Sequence, residues 1–326
     1  MNEKPFTTIS QQITLLRERN LIFENEVIAA QRLSSDGYYE IINGYKDTFL
    51  DNVDHFKDGT KFEDIYALYY LDSRIRSTVL DSLGFFEQSL KQRLAYLLAE
   101  KYTEKFDSCI NESIFSTGHK LKYPNKKKGL LNDRDVLFFK FKQVRDSEHE
   151  PFMNYRENHG NVPPWILFKG IDFGTLRSAI KLLNRDDKLL LAKRVFIEDI
   201  IQMHSDEQII DLLSSILFLA HKFRNRSAHG GRIYNYSPEH SISYNKQLYS
   251  DSLISKTAVK NGTDKNNSIF VLYNLLSYTD TGFSFITLKL GLKRSLQSYS
   301  KHWEKQIPFI LNSMSFPENY NWNSNY

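Results

Sequence analysis

The sequence has few of the residues on which several classes of protein depend. Among its 326 residues there is one cysteine, Cys109, which excludes an intramolecular disulfide and any metal site built from several cysteines. Its 14 glycines and 8 prolines are too few to favour a fold rich in strands and turns. No apolar run approaches the roughly 20 residues of a membrane-spanning helix, and the N-terminus lacks the apolar stretch of a signal peptide. We therefore expect a helical protein of the reducing cytoplasm that has no contact with a membrane.

The charge balance is only mildly basic. There are 43 Lys and Arg against 39 Asp and Glu, which gives a net charge of +4 and a pI near 8.8. This balance is compatible with a nucleic-acid partner but does not require one. No glycine-rich phosphate loop follows a strand pattern, and no Gly-x-Ser-x-Gly turn is present. Two common patterns, for nucleotide binding and for serine hydrolysis, are therefore missing.

Apolar residues at steps of three and four predict two long helices. One covers residues 61–102, and the other begins near Ser205 and ends near His229, where two glycines follow. Ser205 and Gln208 have the spacing of a capping box at the start of the second. Shorter helices are predicted within 1–60, with Ser10 as a cap, from Phe173 to Leu183, from Lys188 to Ile201, and after Asn267.

The same patterns divide the chain into three consecutive parts. Residues 1–60 form an N-terminal helical segment, and residues 61–235 form the core, which carries a basic insertion at about 103–160. Residues 236–326 comprise a polar linker, Ser237 to Asn267, and a helical extension.

The end of the second long helix brings together a cation, an amide and a titratable imidazole: Arg224, Asn225 and His229. A guanidinium matches phosphate oxygens, and an imidazole can move a proton near neutral pH. These properties indicate a phosphodiester site. The alternative is a basic helix C-terminus that only interacts with the helix dipole, and the chemistry alone favours that alternative.

Glu87 lies on the apolar stripe of the first long helix, beside Leu83 and Leu90. A carboxylate there needs a partner. Lys91, one turn away, is one candidate, and Arg224 on the other long helix is the second.

The basic insertion concentrates positive charge between residues 120 and 128. Its lysines are Lys120, Lys122, Lys126, Lys127 and Lys128, with no acidic residue before Asp133. This composition predicts a mobile basic loop that either contacts RNA phosphates or is simply solvated. The scattered histidines match no metal site, so we predict no metal and no cofactor.

The run from Arg224 to His229 looks like the Arg-x4-His motif of HEPN-superfamily RNases, and its continuation to Asn235 resembles the Abi-like (AbiD/AbiF) abortive-infection family. Three further segments resemble that family in the same order: Lys4-Pro5 through Tyr38-Tyr39 and Gly44-Tyr45, Phe62 to Tyr69 with Asp72 and Arg76, and Pro163-Pro164-Trp165-Ile166-Leu167 followed by Phe173-Gly174-Thr175-Leu176.

The resemblance implies an all-α fold, in which a HEPN-type helical bundle carries the N-terminal helices, the basic insertion and the C-terminal extension. It also implies an endoribonuclease of an anti-phage or toxin–antitoxin system, a homodimer with composite sites, and a small structured RNA that guides or restrains the protein. Cleavage without a metal is expected, because no metal-binding cluster accompanies His229. Catalysis would fall to Arg224, Asn225 and His229 with support from Glu87, and Arg226 and Arg232 would join the lysines in RNA binding.

Two other functions remain open at this point. The chain could be a non-catalytic module that binds a structured RNA, or an adaptor that binds no nucleic acid.

Overall fold

The computed structural model describes residues 5–246, 256–261, 266–280 and 282–323. Lys4 and the linker stretches 247–255 and 262–265 lie outside the described residues. The helices are α1 (Ile9–Glu18), α2 (Glu26–Asp36), α3 (Phe62–Tyr102), α4 (Phe106–Cys109), α5 (Asp133–Arg145), α6 (Phe152–His159), α7 (Pro164–Leu167), α8 (Phe173–Leu182), α9 (Arg185–Val195), α10 (Glu198–Met203), α11 (Asp206–Ala228), α12 (Lys256–Lys260), α13 (Ile269–Ser277), α14 (Gly282–Trp303) and α15 (Ile307–Ser313). Short π and 3-10 segments occur at Tyr39–Asn43, Lys46–Phe49, Lys126–Lys128, Phe168–Gly170 and Glu304–Gln306.

The helical class predicted from the sequence is confirmed. In the part of the chain that the structure describes, the only sheet is a hairpin of β1 (Lys120–Asn125) and β2 (Leu130–Asn132). None of the described helices combines the length and the apolar composition that a bilayer crossing requires.

The chain forms two compact units that are not consecutive in sequence. The first unit comprises Met1–Thr78, Ser227–Tyr236 and Leu290–Tyr326, and the second unit comprises Val79–Arg226 and Ser237–Lys289. Helices α3, α11 and α14 each contribute residues to both. Each unit is assembled from segments that lie far apart along the chain, so the units do not test the consecutive boundaries predicted at residues 60 and 235, which stay predictions.

The two long helices, α3 and α11, agree with their sequence patterns. The cap predicted for the short helix α1 is wrong. Thr8, not Ser10, caps α1, because Thr8 has an extended backbone and its Oγ1 accepts from the Gln11 backbone N–H at 3.3 Å. The Gln11 side chain in turn accepts from the Thr8 backbone N–H at 2.8 Å, which completes a capping box. Ser10 lies inside the first turn.

The mobile loop predicted at Lys120–Lys128 is also wrong, since these residues form most of the hairpin. Strand β1 pairs antiparallel with β2, with Lys120 opposite Asn132 and Asn125 opposite Leu130. Gly129 turns the chain in the left-handed conformation at φ +66°. The strands are polar and mostly exposed, so they lack the apolar alternation by which a strand is recognised in a sequence.

The single helix predicted from Lys188 to Ile201 is two helices, α9 and α10. Between them, Phe196 pairs with Thr279 in an antiparallel bridge, and the Ile197 backbone N–H donates to the Tyr278 carbonyl at 3.0 Å. The backbone at this point therefore bonds to a segment about 80 residues away instead of continuing the helix.

Candidate active site

The end of α11 is fixed by its cap, its apolar face and a glycine. Ser205 Oγ accepts from the Gln208 backbone N–H at 3.4 Å, and Gln208 Oε1 accepts from the Ser205 backbone N–H at 2.9 Å, which confirms the predicted capping box. Gly230 follows the helix with φ +72°, a conformation that ends helices. The apolar face is buried through Ile209, Leu212, Leu213, Ile216, Ala220 and Phe223.

All three predicted catalytic residues lie at this helix end. Arg224 and Asn225 belong to the last turns of α11 within the second unit, and both are half-buried. His229 comes directly after the helix, belongs to the first unit and is exposed. Among the described residues, no hydrogen bond or ion pair engages the His229 side chain. Its imidazole is therefore accessible for proton transfer.

A chain of hydrogen bonds fixes the Asn225 amide. Arg224 Nη1 donates to Asn225 Oδ1 at 3.3 Å, and Asn225 Nδ2 lies 3.1 Å from His221 Nε2. The sequence reasoning missed His221. Its signal was present, because His221 precedes Asn225 by four residues, the spacing that places two side chains on one helix face.

The surroundings of His221 favour its neutral form. Burial lowers the pKa of His221 below the usual 6.5. The charges of Arg177, Lys222 and Arg224 lower it further, whereas Asp172 acts in the opposite direction. A neutral imidazole that carries its proton on Nδ1 can accept at Nε2 from the Asn225 amide N–H. The Nδ1 atom is buried and has no hydrogen-bond partner among the described residues.

The lowered pKa of His221 predicts that the stability of the protein depends on pH. Because the folded state lowers the pKa of His221, the unfolded chain takes up the proton first, and the free energy of unfolding should fall as the pH drops below about 6.5. Thermal melts between about pH 7.5 and about pH 5.5 should show this loss, and His221→Gln should reduce it. His149→Gln, at an exposed position, is the control that should keep the full loss. Equal pH dependence in wild type and His221→Gln would contradict the assignment.

Downstream of the motif, a buried carboxylate holds the chain within the first unit. Asp72 of α3 has no exposed surface, and its oxygens accept from the backbone N–H groups of Ile233 at 3.1 Å and Tyr234 at 2.7 Å. They also accept from the Tyr45 hydroxyl at 2.6 Å and from Arg76 Nη1 at 3.0 Å. Burial raises the pKa of the Asp72 carboxyl, while these donors act against the increase. All four partners are donors, so the site satisfies an ionised carboxylate.

The two arginines predicted to bind RNA have different surroundings. Arg226 is exposed in α11. Arg232 is half-buried in the first unit, where its Nη1 donates to the Gly44 carbonyl and lies 3.9 Å from Asp47. The Arg232 guanidinium therefore stabilises the fold of the first unit. Its contact with RNA stays a prediction.

Glu87 takes the local one of its two candidate partners. Lys91 Nζ lies 2.8 Å from Glu87 Oε1, and both side chains are mostly buried. Within the described part of the second unit, Glu87 forms no ion pair with Arg224, whose guanidinium binds Asn225 instead. No contact between Glu87 and Arg224 in the described residues therefore supports a direct role of Glu87 at this arginine.

The lysines of the hairpin are all exposed, and none of them forms an ion pair in the described chain. Tyr123 between them is 81% exposed, and Lys122 Nζ lies 5.4 Å from the centre of its ring. An exposed aromatic ring among unpaired cations is an arrangement found on single-stranded nucleic-acid binding surfaces.

A comparison with known protein families gives a match. Residues 31–235 match the family described as Abi-like protein, which covers more than half of the chain and includes α3, the hairpin, α8 and α11. No curated protein and no solved structure matches the chain.

Proposed function

Because this chain belongs to the Abi-like protein family, we propose that it is an endoribonuclease of an abortive-infection system and that it cleaves RNA without a metal. The family suggests the role in abortive-infection defence. The observation that carries the enzymatic part is the hydrogen-bonded row of Arg224, Asn225 and His221, which directly precedes the exposed His229.

The proposed reaction uses the 2′-hydroxyl of the RNA as its nucleophile, a group that DNA lacks. The hydroxyl oxygen attacks the adjacent phosphorus, the P–O5′ bond breaks, and the products are a 2′,3′-cyclic phosphate and a 5′-hydroxyl. His229 would take the proton from the 2′-hydroxyl or give one to the leaving O5′. Arg224 would bind the non-bridging phosphate oxygens and stabilise their developing charge, with Asn225 holding the guanidinium in place.

The test is cleavage of RNA in the presence of EDTA, with the ends of the products identified. We expect fragments that end in 2′,3′-cyclic phosphates. The matched control is the same RNA with one 2′-deoxy sugar at the cleaved position, where cleavage should stop. A requirement for added metal, or cleavage at the 2′-deoxy position, would overturn the mechanism. Salt-dependent RNA binding without any cleavage would favour the non-catalytic alternative.

The proposal includes a homodimer. One copy of the chain presents a single Arg224-to-His229 motif, with His229 exposed, so two copies that meet at this face would form a composite site. Light scattering on the active protein should give the mass of a dimer. A monomer with full activity would refute the composite site. A small structured RNA as a guiding or restraining partner also belongs to the proposal, and sequencing of RNA that co-purifies with the protein would identify it.

The hairpin lysines should contribute to RNA binding through their charge. Lys126, Lys127 and Lys128 lie together at the hairpin turn and are exposed. For single-stranded RNA the slope of log affinity against log salt changes by about 0.7 per phosphate contact, so replacing all three with Ala should flatten it by up to about 2. The melting temperature should stay the same. The control replaces three exposed lysines elsewhere, Lys256, Lys260 and Lys301, and an equal flattening there would remove the hairpin from the binding surface.

A further inference from the structure

A cavity of about 220 Å³ lies within the second unit, between the hairpin, α5 and α8. Leu121 of β1 forms part of its wall, and Thr175 lies on the α8 side. The charged residues that line it are three cations, Lys140, Arg177 and Lys181, and one carboxylate, Asp133. The cavity is therefore positively charged.

Arg177 has no counter-ion among the residues that the structure describes. It is half-buried on α8, and its guanidinium carbon lies 5.6 Å from the centre of the Phe218 ring. No carboxylate of the described residues lies within 4.0 Å of its nitrogens. Burial lowers the pKa of this guanidinium. A half-buried cation without a counter-ion is costly, and a bound anion would reduce that cost.

Both lysines of the cavity keep donors available. Lys140 Nζ donates to Thr175 Oγ1 at 3.0 Å, but the nearest carboxylate, that of Asp172, is 3.9 Å away. Lys181 Nζ lies 3.8 Å from the Asp133 carboxylate. Both distances exceed the roughly 2.7–2.9 Å of a charge-assisted hydrogen bond, and each ammonium carries three donors.

We propose that this cavity binds the terminal phosphate of an RNA strand. The volume is below the roughly 300–1,000 Å³ of pockets that enclose whole drug-sized ligands, so it suits a phosphate group with part of its nucleoside. The three cations that line the cavity, set against Asp133 and against Asp172 at 3.9 Å from Lys140, leave a net charge of +1. A terminal phosphate presents three acceptor oxygens, one for each of the three cations, whereas an internal phosphodiester has only two oxygens free.

The hairpin indicates that the phosphate belongs to a nucleic-acid strand. Leu121 in the cavity wall belongs to β1, and the ring of Tyr123, two residues further along the same strand, is exposed. Side chains two residues apart point to one face of a strand, so an RNA strand whose end occupies the cavity would meet the Tyr123 ring next, and a base could stack on that ring. The proposal goes beyond the cleavage reaction and rests on the proposed function only for the RNA as the source of the phosphate.

The test measures binding of a short 2′-O-methyl RNA, which cannot be cleaved through its 2′-oxygen, by fluorescence anisotropy in EDTA. The same oligonucleotide is prepared with a 5′-phosphate, with a 3′-phosphate and with hydroxyl ends. We expect one phosphorylated form to bind at least about tenfold more tightly than the hydroxyl form. Arg177→Ala and Lys140→Gln should each abolish this advantage and leave the affinity for the hydroxyl form within about twofold.

The control variant is Arg74→Ala, at an exposed arginine that forms no ion pair among the described residues, and it should keep the phosphate advantage. Lys140→Gln, at an exposed side chain, keeps the test valid if Arg177→Ala lowers the melting temperature. Equal binding of all three oligonucleotides, or an advantage that survives both cavity variants, would overturn the proposal. Equal competition by AMP at the same concentration as the phosphorylated oligonucleotide would overturn the RNA strand as the source.

Failure of this proposal and failure of the proposed function give different results. Cleavage of RNA by a protein without any preference for phosphorylated ends would remove the cavity from RNA binding and leave the ribonuclease intact. A phosphate preference that depends on Arg177, in a protein that cleaves no RNA, would support the phosphate site in the cavity and refute the ribonuclease activity.

Discussion

Replacing His229 with Ala should lower the rate of RNA cleavage by roughly 10²–10⁴-fold, because a positioned general acid or base contributes about that much. Arg224→Ala should cost roughly 10²–10³-fold through the lost stabilisation of charge on the phosphate. Single-turnover cleavage rates in EDTA measure both effects. The helical circular dichroism should not change in either variant, since Arg224 is not part of the buried apolar face of α11 and His229 lies beyond the end of the helix.

The controls for this prediction are an exposed histidine and an exposed arginine whose side chains form no hydrogen bond or ion pair among the described residues, His55 and Arg74. His55→Ala and Arg74→Ala should cleave RNA at the wild-type rate within about twofold. A His229→Ala protein with normal activity would show that the imidazole moves no proton in the reaction. Equal losses in His229→Ala and His55→Ala would point to a general effect of histidine removal and not to a site.

His221→Gln offers a further distinction within the same site. His221 contacts Asn225 and not the proposed substrate position, so we treat it as a positioning residue. Glutamine can still offer an acceptor to the Asn225 amide. The activity of the His221→Gln protein should therefore lie between those of the wild type and His229→Ala. Protonation of His221 would remove the acceptor of the Asn225 amide, so the activity of the wild type should fall at a pH below 6.5, and this fall should be smaller in His221→Gln.

Replacing Asp72 with Ala should lower the free energy of unfolding by about 3–5 kcal/mol, since it leaves buried donors without their acceptor. The Arg76 guanidinium, the Tyr45 hydroxyl and the backbone N–H groups of Ile233 and Tyr234 all bind this carboxylate. Urea unfolding followed by circular dichroism measures the change. Asp72→Asn keeps the volume and one acceptor oxygen, so it should cost less than Asp72→Ala.

The matched control is Asp81→Ala, which changes an exposed aspartate of the same helix. It should change the free energy of unfolding by less than about 0.5 kcal/mol. If Asp72→Ala and Asp81→Ala have the same small effect, the Asp72 hydrogen bonds do not stabilise the fold. Asp72 holds the backbone only four residues after His229. Asp72→Asn should therefore also lower the rate of RNA cleavage at a temperature at which the variant is still folded.

Much of the local structure follows directly from the sequence. The periodicity of apolar residues predicts α3 to within one residue at its start, and it predicts α11 together with its Ser205–Gln208 capping box and the glycine after it. These features depend on residues within four positions of each other, so a single sequence contains the information. The hairpin has no such signal, because its strands bury almost nothing.

The candidate site divides in the same way. Helical spacing predicted that Arg224, Asn225 and His229 lie at one helix end, and the resemblance to the Abi-like family made them the candidate catalytic residues. The sequence left the partner of Glu87 open between Lys91 and Arg224, and only the packing of the second unit decided for Lys91. The spacing of His221 four residues before Asn225 is visible in the sequence, but only the burial of His221 and the cations around it show that its imidazole is held in the neutral form.

Contacts between distant parts of the chain were decided by the tertiary structure. Asp72 and Arg76 are recognisable from the sequence as a pair four residues apart, but the bonds from Asp72 to the backbone of Ile233 and Tyr234 cross about 160 residues. The charged cavity beside the hairpin likewise gathers residues from three separate elements. Such contacts depend on which apolar faces pack together and on which buried donors then need an acceptor, and neither is determined by residues that are neighbours in sequence.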